Sequence, residues 1–292
     1  MALGRLIFRK FYRKISVIVF ALAFVATMAT QAGGQASDQP DTVIVRSGAL
    51  SLRALLWRPH GNGPFPAVMF NHGSYSVDDP LGLEEPTTLG PVFARHGYVF
   101  LFLCRRGIGL SVDQGPADGD LMARALGAGG LAGRNRVQLQ LLDGEEFNEA
   151  LSGLAFLRAL GSVDAARIVV AGHSFGGSLT LLLAAHDTAV RVAVVFGAAA
   201  GSWGQSPTLR AQLFAAVRRV SAPVIFVHAA NDYSIAPGEA LAAEMQRLKK
   251  IHELKIYPAV GGSPRDGHNL VYRSVITWES DVFNFLDQHL RR

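Results

Sequence analysis

Eight short runs of apolar, largely β-branched or aromatic residues are spaced along the chain, at 42–46, 50–58, 67–71, 98–103, 167–171, 191–196, 224–228 and 254–257. Most are bounded by Gly, Pro, Asn, Asp or Ser, the punctuation expected at strand ends. The later runs are apolar almost without interruption, as strands buried on both faces must be. Between the runs lie segments with helical periodicity, at 87–96, 138–160, 175–186, 207–220, 237–250 and 274–290. From residue 67 onward the two kinds alternate, which is the βαβ pattern of a doubly wound, mostly parallel sheet in a single domain. Segment 112–133, rich in Gly, Ala and Asp, interrupts the alternation. It reads either as a flap over the crevice of the sheet or as a long surface connection.

The first 32 residues follow a different pattern. Arg5, Arg9, Lys10, Arg13 and Lys14 precede an apolar stretch of 14 residues at 15–28, and the small residues Ala29 and Ala32 follow. Basic, then apolar, then small is the layout of a secretory leader, so the expectation is export. The stretch falls short of the ~20 residues a bilayer span needs; an uncleaved anchor at residues 15–29 is the alternative. The chain thus divides into a leader or anchor at 1–32, a polar tail at 33–41 and a domain at 42–292. The formal charge of +5 belongs to the leader, because the remaining 23 basic residues meet 23 acidic ones. No nucleic-acid face is expected from that balance, and a membrane is met only through the N-terminal segment. The single cysteine, Cys104, forms no internal disulfide and reads as a small buried hydrophobe. A domain of about 260 residues needs no cross-link to hold one large core. Nothing in the sequence sets the oligomeric state.

Candidate chemistry begins where one apolar run stops abruptly. Residues 167–177 read Arg-Ile-Val-Val-Ala-Gly-His-Ser-Phe-Gly-Gly, and the helical pattern starts at once after Ser174. A serine at the hinge of a sharp strand-to-helix turn has its Oγ pushed out of the sheet. Such a turn leaves no room for side chains two positions before and after, where Gly172 and Gly176 stand. The backbone N–H of Phe175 then lies at a helix N-terminus, where a developing oxyanion is favoured. Ser174 is the candidate nucleophile.

That assignment predicts where its partners lie, because acid and base should follow on later loops. Asp232 stands just past the run 224–228, 58 residues after the serine, and His268 lies 36 residues further, in the loop after 254–257. In an open parallel sheet such loops converge on one crevice. Asp266 is the rival acid, on the same loop as His268. His173 inside the turn is expected to point away from Ser174. A second oxyanion donor should come from the loop after 67–71, where Gly73 permits close approach and the N–H of either Ser74 or Tyr75 faces inward. His72 reads as a residue that holds this loop. Arg105 and Arg106, at the crevice end of their strand, are candidates for meeting a substrate carboxylate, or else pair with a loop acid such as Asp113. Trp203, with Tyr75, Phe102 and Phe175, is a candidate for lining an acyl pocket.

These residues resemble the α/β-hydrolase superfamily, in the dienelactone hydrolase and prolyl-oligopeptidase-like branch. The resemblance is carried by Asn71-His72-Gly73, by Arg106-Gly107-Ile108-Gly109-Leu110-Ser111, by Val163-Asp164 and by the Asp232 and His268 loops, and it covers residues 42–290. It implies an eight-stranded, mostly parallel sheet with helices on both faces, and acyl hydrolysis without a cofactor. Two departures stand out: Cys104-Arg105 replaces the usual acidic residue before the Arg-Gly pair, and the connector 112–138 is long.

The expected function is therefore that of a serine hydrolase acting on a small-molecule carboxylic ester or related acyl bond, with Ser174, His268 and Asp232 as triad. An exported serine peptidase is the enzymatic alternative, although no gating domain precedes the hydrolase part. A silent hydrolase-fold binding protein is the non-enzymatic one. Ser174 excludes the halide and epoxide chemistries that need an aspartate at the turn. Metal-assisted hydrolysis is disfavoured, since no His-x-x-x-His with a neighbouring glutamate occurs.

Overall fold

Side chains of the central strands alternate between two hydrophobic layers, and that alternation decides which helices cover which side. In the computed structural model, which describes residues 39–77 and 84–290 of the 292, the strands are β1 (Asp41–Ser47), β2 (Leu50–Trp57), β3 (Phe65–Asn71), β4 (Val99–Leu103), β5 (Val163–His173), β6 (Val190–Phe196), β7 (Val224–Ala229) and β8 (His252–Tyr257). They form one sheet in the order β1-β2-β4-β3-β5-β6-β7-β8. Strand β2 runs antiparallel to β1 and β4, and every other pairing is parallel.

The helices are α1 (Glu84–Arg95), α2 (Asp118–Asp143), α3 (Glu145–Ala159), α4 (Phe175–His186), α5 (Pro207–Arg219), α6 (Ala236–Arg247), α7 (Pro264–His268), α8 (Leu270–Arg273) and α9 (Val275–Leu290). Met69, Val170 and Val195 face one layer, with Leu154 of α3, Leu179 of α4 and Leu213 of α5. Phe70, Phe100 and Val194 face the other, with Phe93 of α1 and Trp278 and Phe285 of α9. The second layer is aromatic: Phe93 stacks on Phe100 at 4.9 Å between ring centroids, and Phe70 on Phe102 at 5.8 Å. Helix α1 can lie this close because it presents Gly90, where a Cβ would stand 2.1 Å from the Trp57 ring.

The strand pattern in the sequence matches the sheet closely. Strand β5 starts earlier than expected, at Val163, because that residue pairs with Phe65 across the sheet. The larger difference is segment 112–133. Of the two readings the long surface connection fits, but it is helical: a 3-10 turn at Gly109–Gln114 leads into α2, which runs to Asp143 and is exposed over most of 123–132. Leu121, Met122, Arg124 and the alanines are strong helix formers, and they prevail over the glycines that masked the signal. The glycines leave a kink at Gly129 and Gly130, where φ is −139° and +60°. The single helix expected at 138–160 is accordingly two, parted at Gly144. The leader or anchor at 1–32 lies outside the described residues, as does the tail up to residue 38. Among the described residues no helix is long and apolar enough to cross a membrane.

Chain order places β3 and β4 to one side and β5 and β6 to the other. The direction of winding therefore reverses between β3 and β5, which opens a crevice at the carboxyl ends of those strands.

Phe100→Ala should lower the unfolding free energy by ~3–5 kcal/mol, the range for deleting a fully buried aromatic, since Phe100 is wholly buried and stacked on Phe93. Urea unfolding followed by circular dichroism measures this, and an unchanged midpoint would contradict the packing described.

Candidate active site

The turn from β5 into α4 can close only because two positions lack side chains. A Cβ at Gly172 would stand 2.4 Å from the Gly176 carbonyl, and one at Gly176 would stand 2.0 Å from the Asn71 carbonyl. Between them Ser174 adopts φ +57° and ψ −116°, a conformation rare for a residue with a side chain, costing ~1–3 kcal/mol. The surroundings hold it there: the Ser174 N–H donates to the Phe196 carbonyl at 2.9 Å, and the Ser174 carbonyl accepts from the Ser178 N–H at 3.1 Å. Asn71 ties the end of β3 to α4 by donating to Thr180 Oγ1 at 3.0 Å.

Strand β7 delivers Asp232. Its Oδ1 accepts from His268 Nδ1 at 2.7 Å and from the Tyr233 N–H at 2.7 Å, while its Oδ2 meets His228 Nδ1 at 2.9 Å. Burial pulls this carboxyl upward, but the hydrogen bonds from His228 and His268 outweigh it and hold the group down at about 2. Asp232 is therefore anionic at neutral pH, with both oxygens occupied. Gly197, at φ +57°, lets the end of β6 pass beside the pair, since a Cβ there would lie 3.1 Å from Asp232 Oδ2 and 3.2 Å from the His268 ring. Asn231 anchors the loop that carries His268: its amide donates to the carbonyls of Val260 and Ser263 at 2.9 Å each and its oxygen accepts from the Val260 N–H at 2.9 Å. Asp266, the rival acid, stays on its own loop, capping α7 with Ser263 and pairing with Arg273 at 2.7 Å.

Ser174 and His268 line one cleft of about 420 Å³, together with Ser74, Tyr75, Glu85, His173, Tyr233, Arg265 and Asn269. Since His268 Nδ1 is turned to Asp232, its Nε2 is the nitrogen left for the cleft. Gly73 closes on Ser174, for a Cβ there would come within 3.6 Å of Ser174 Cβ. The two candidate loop N–H groups differ in their partners. The Tyr75 N–H donates to Asp118 Oδ1 at 3.0 Å and is thereby removed as an oxyanion donor. Nothing among the described residues accepts from the Ser74 N–H. Phe175 begins α4, so its N–H has no partner within the helix.

His173 and His72 hold backbone. His173 donates from Nε2 to the His268 carbonyl at 2.8 Å. Burial, followed by the charge of His268, lowers it to about 3, so it is neutral. His72 donates from Nδ1 to the Gly73 carbonyl at 2.7 Å and accepts from the Arg105 N–H at 3.3 Å; burial and then Arg105 lower its pKa as well. Cys104 is buried, and burial pushes its thiol up to about 11, which leaves it unreactive.

Three residues expected at the substrate lie elsewhere. Arg105 is fully buried, ion-paired with Glu146 and 3.6 Å from Asp118, and it donates to the carbonyls of His72 and Gly73 at 3.1 Å each. Its guanidinium also lies 5.4 Å from the Phe175 ring centroid. It braces the loop beside Ser174 from behind. Burial pushes Glu146 upward, with the neighbouring carboxylates adding to it against the pull of Arg105. Arg106 pairs with Glu145 and Glu149. The alternative partner, Asp113, belongs to Arg53 at 2.6 Å. Trp203 packs against Phe214 in the core beneath α5, and Phe102 is buried in the sheet. Conversely, His228, Asn231, Glu85, Arg265 and Asn269 stand in or beside the site unforeseen. The His at i and Asp at i+4 around the β7 end was the one visible signal.

A parallel sheet of this order, carrying a serine on a strand-to-helix elbow above its crevice, defines an α/β-hydrolase. The sequence pattern of the dienelactone hydrolase family matches residues 119–274, more than half of the chain, and the chain belongs to that family. It is thus a hydrolase of this fold. No curated protein matches the sequence. Among solved structures, dienelactone hydrolase from Anabaena variabilis is similar at TM-score 0.57 and 18% identity, over 86% of this chain and 99% of that one. Acylaminoacyl peptidase from Pyrococcus horikoshii is similar at TM-score 0.60 and 17% identity, over 85% of this chain and 41% of that one. A puromycin-hydrolyzing peptidase from Mycobacterium tuberculosis gives 0.59 and 18%, over 86% and 40%. The chain thus spans about two fifths of either peptidase.

Two outcomes follow from the buried groups. Arg105→Met should destabilise the protein by ~3–5 kcal/mol, because Glu146 and Asp118 would remain buried without their cation; chemical denaturation reads this directly. His173 has a folded pKa of about 3, below its unfolded value of ~6.5. Between those values the unfolded chain binds the extra proton, so this residue's contribution to stability falls as pH falls. From pH 7 to pH 5 the loss is ~2 kcal/mol. Glu146 and Asp118, raised by burial, act in the opposite sense. The measurable quantity is therefore the difference between the wild type and His173→Gln, whose amide keeps a donor for the His268 carbonyl. Parallel stability profiles for the two proteins would refute the assignment.

Proposed function

We propose that the protein is a serine hydrolase that cleaves a carboxylic ester through an acyl-enzyme on Ser174. The observation that carries this reading is the 2.7 Å contact between His268 Nδ1 and Asp232 Oδ1 beside a serine held at positive φ in the same cleft. Ser174 Oγ attacks the carbonyl carbon as its proton passes to His268 Nε2, while anionic Asp232 holds the Nδ1–H tautomer and stabilises the imidazolium. The carbonyl oxygen becomes an oxyanion facing the N–H groups of Phe175 and Ser74, each of which contributes ~3 kcal/mol to lowering the barrier. The C–O bond to the alcohol breaks as His268 returns its proton to the leaving oxygen. Water then attacks the acyl carbon, gives a proton to His268, and the acid departs as that proton returns to Ser174 Oγ. The leader pattern of residues 1–32 supports export before this chemistry takes place.

The peptidase alternative draws on the fold shared with two peptidases, and a substrate panel separates it from the esterase reading. A fluorophosphonate probe should label the wild type at Ser174 and leave Ser174→Ala unlabelled. That variant should lose ester turnover by about 10⁴-fold or more while its circular dichroism is retained. Comparable turnover in Ser174→Ala sinks the proposal, and faster cleavage of aminoacyl anilides than of nitrophenyl esters replaces esterase by peptidase.

A further inference from the structure

The cleft around Ser174 contains a carboxylate that the proposed chemistry does not use. Glu85, in the first turn of α1, lines the same cleft as Ser174 and His268, and its Oε2 accepts from the Tyr75 hydroxyl. The side chain is mostly withdrawn from solvent, yet among the described residues no Lys, Arg or His pairs with it. Burial pushes it up to about 7, and the Tyr75 hydrogen bond opposes that only in part. A carboxylate held in such a place by one neutral donor is costly unless a cation joins it. Nearby cations are committed elsewhere: Arg105 is locked into Glu146 and the loop carbonyls, and Arg106 into Glu145 and Glu149. Arg265 lines the cleft too, but it is exposed to solvent and pairs with no acid among the described residues.

Of the four aromatic residues expected to form an apolar acyl pocket, Tyr75 lines the cleft and the other three are not available to a substrate. Phe102, Phe175 and Trp203 are all buried in the core. The cleft is lined instead by the Tyr75 and Tyr233 rings with their hydroxyls, the Asn269 amide, the imidazoles of His173 and His268, the Glu85 carboxyl and, at its exposed side, the Arg265 guanidinium.

We infer that the cleft takes an ester whose substituent carries a cationic ammonium group, and that Glu85 is the residue that pairs with it. This inference rests on the reading of Ser174 as nucleophile, and it selects the substrate class for that site. Ammonium and carboxylate meet in a partly desolvated setting, where a charge-assisted contact is worth more than at the open surface. The Tyr75 hydroxyl keeps Oε2 in place and leaves Oε1 for the ligand.

The test compares three para-nitrophenyl esters of equal length, ending in a trimethylammonio group, its neutral tert-butyl isostere and a carboxylate. In the wild type, kcat/KM for the cationic ester should exceed that for the neutral one by about tenfold or more, with the anionic ester slowest. Glu85→Gln should bring the cationic-to-neutral ratio close to unity. Independently of any variant, choline should inhibit hydrolysis of the neutral ester competitively in the wild type, with a Ki about tenfold below that of its uncharged carbon analogue. A wild type that prefers the neutral or anionic ester, a ratio that survives Glu85→Gln, or equal inhibition by the two alcohols overturns the inference. Ser174→Ala run on all three esters keeps the two readings apart. If that variant is inactive while the ratio ignores Glu85, only the ammonium assignment falls; if it still turns over, the nucleophile assignment falls first.

Discussion

The closure of one turn governs this site. Strand β5 must pass into α4 within a single residue, and the space for that turn is made by what is missing at positions 172 and 176. With a Cβ at either position the backbone of α4 or β3 would be overlapped. Ser174 is thereby driven to φ +57°, a strain that is sustained because its N–H and carbonyl are both held, to Phe196 and Ser178. The same close approach brings β3 against the elbow, so the loop at 73–75 arrives beside the serine. Ser174, the N-terminus of α4 and the loop at 73–75 are placed together by one steric fact.

A second constraint works from behind the loop. Arg105 supplies donors to the buried carbonyls of His72 and Gly73, the second of which also accepts from His72 Nδ1. A buried guanidinium needs counter-charge, which arrives from Glu146 on α3 and Asp118 at the start of α2. Asp118 in turn accepts from the Tyr75 N–H. Loop 73–75 is thus stapled on both sides, while Ser74, whose N–H has no acceptor among the described residues, lines the cleft. Helix α2, placed across the segment that interrupts the regular alternation, contributes its N-terminal acid to this cluster rather than a lid to the cleft.

Legibility from sequence followed the range of the interactions. Strands are local and strongly patterned, so β2, β3, β6 and β7 were readable nearly to the residue, as was α4. The positions of Ser174 and Asp232 were readable too, because each stands just past a strand end marked by glycine or by Asn-Asp. His268, legible as the histidine after the last strand, closes the short helix α7. Helix α2 was hidden by Gly127, Gly129, Gly130 and Gly133, whose propensity argues against a helix that the neighbouring Leu, Met, Arg and Ala residues nevertheless sustain. Arg105 was misplaced for a different reason. Its charge and its strand end are visible in the sequence, but Glu146, 41 positions away, declares itself only when α3 folds across β4. Trp203 illustrates the same limit: an aromatic in a loop after β6 is equally compatible with a pocket wall and with a core, and only Phe214 packed against it decides.

Why Asp232 and not Asp266 meets His268 shows how second contacts discriminate between two acids of equal intrinsic chemistry. Asp266 is nearer in sequence, yet its oxygens are consumed by Ser263, the Gly262 N–H and Arg273. Asp232 stands in the turn after β7, where His228 takes one oxygen and leaves the other aimed at the His268 ring. A carboxylate fastened at one oxygen cannot rotate away from the imidazole it faces, so the Nδ1–H tautomer is favoured before any substrate binds. His228 is wedged in turn against Gly238, where a Cβ would stand 2.6 Å from its Nε2. The orientation of the ring beside Ser174 therefore traces back, through one buried histidine, to the absence of a side chain on α6.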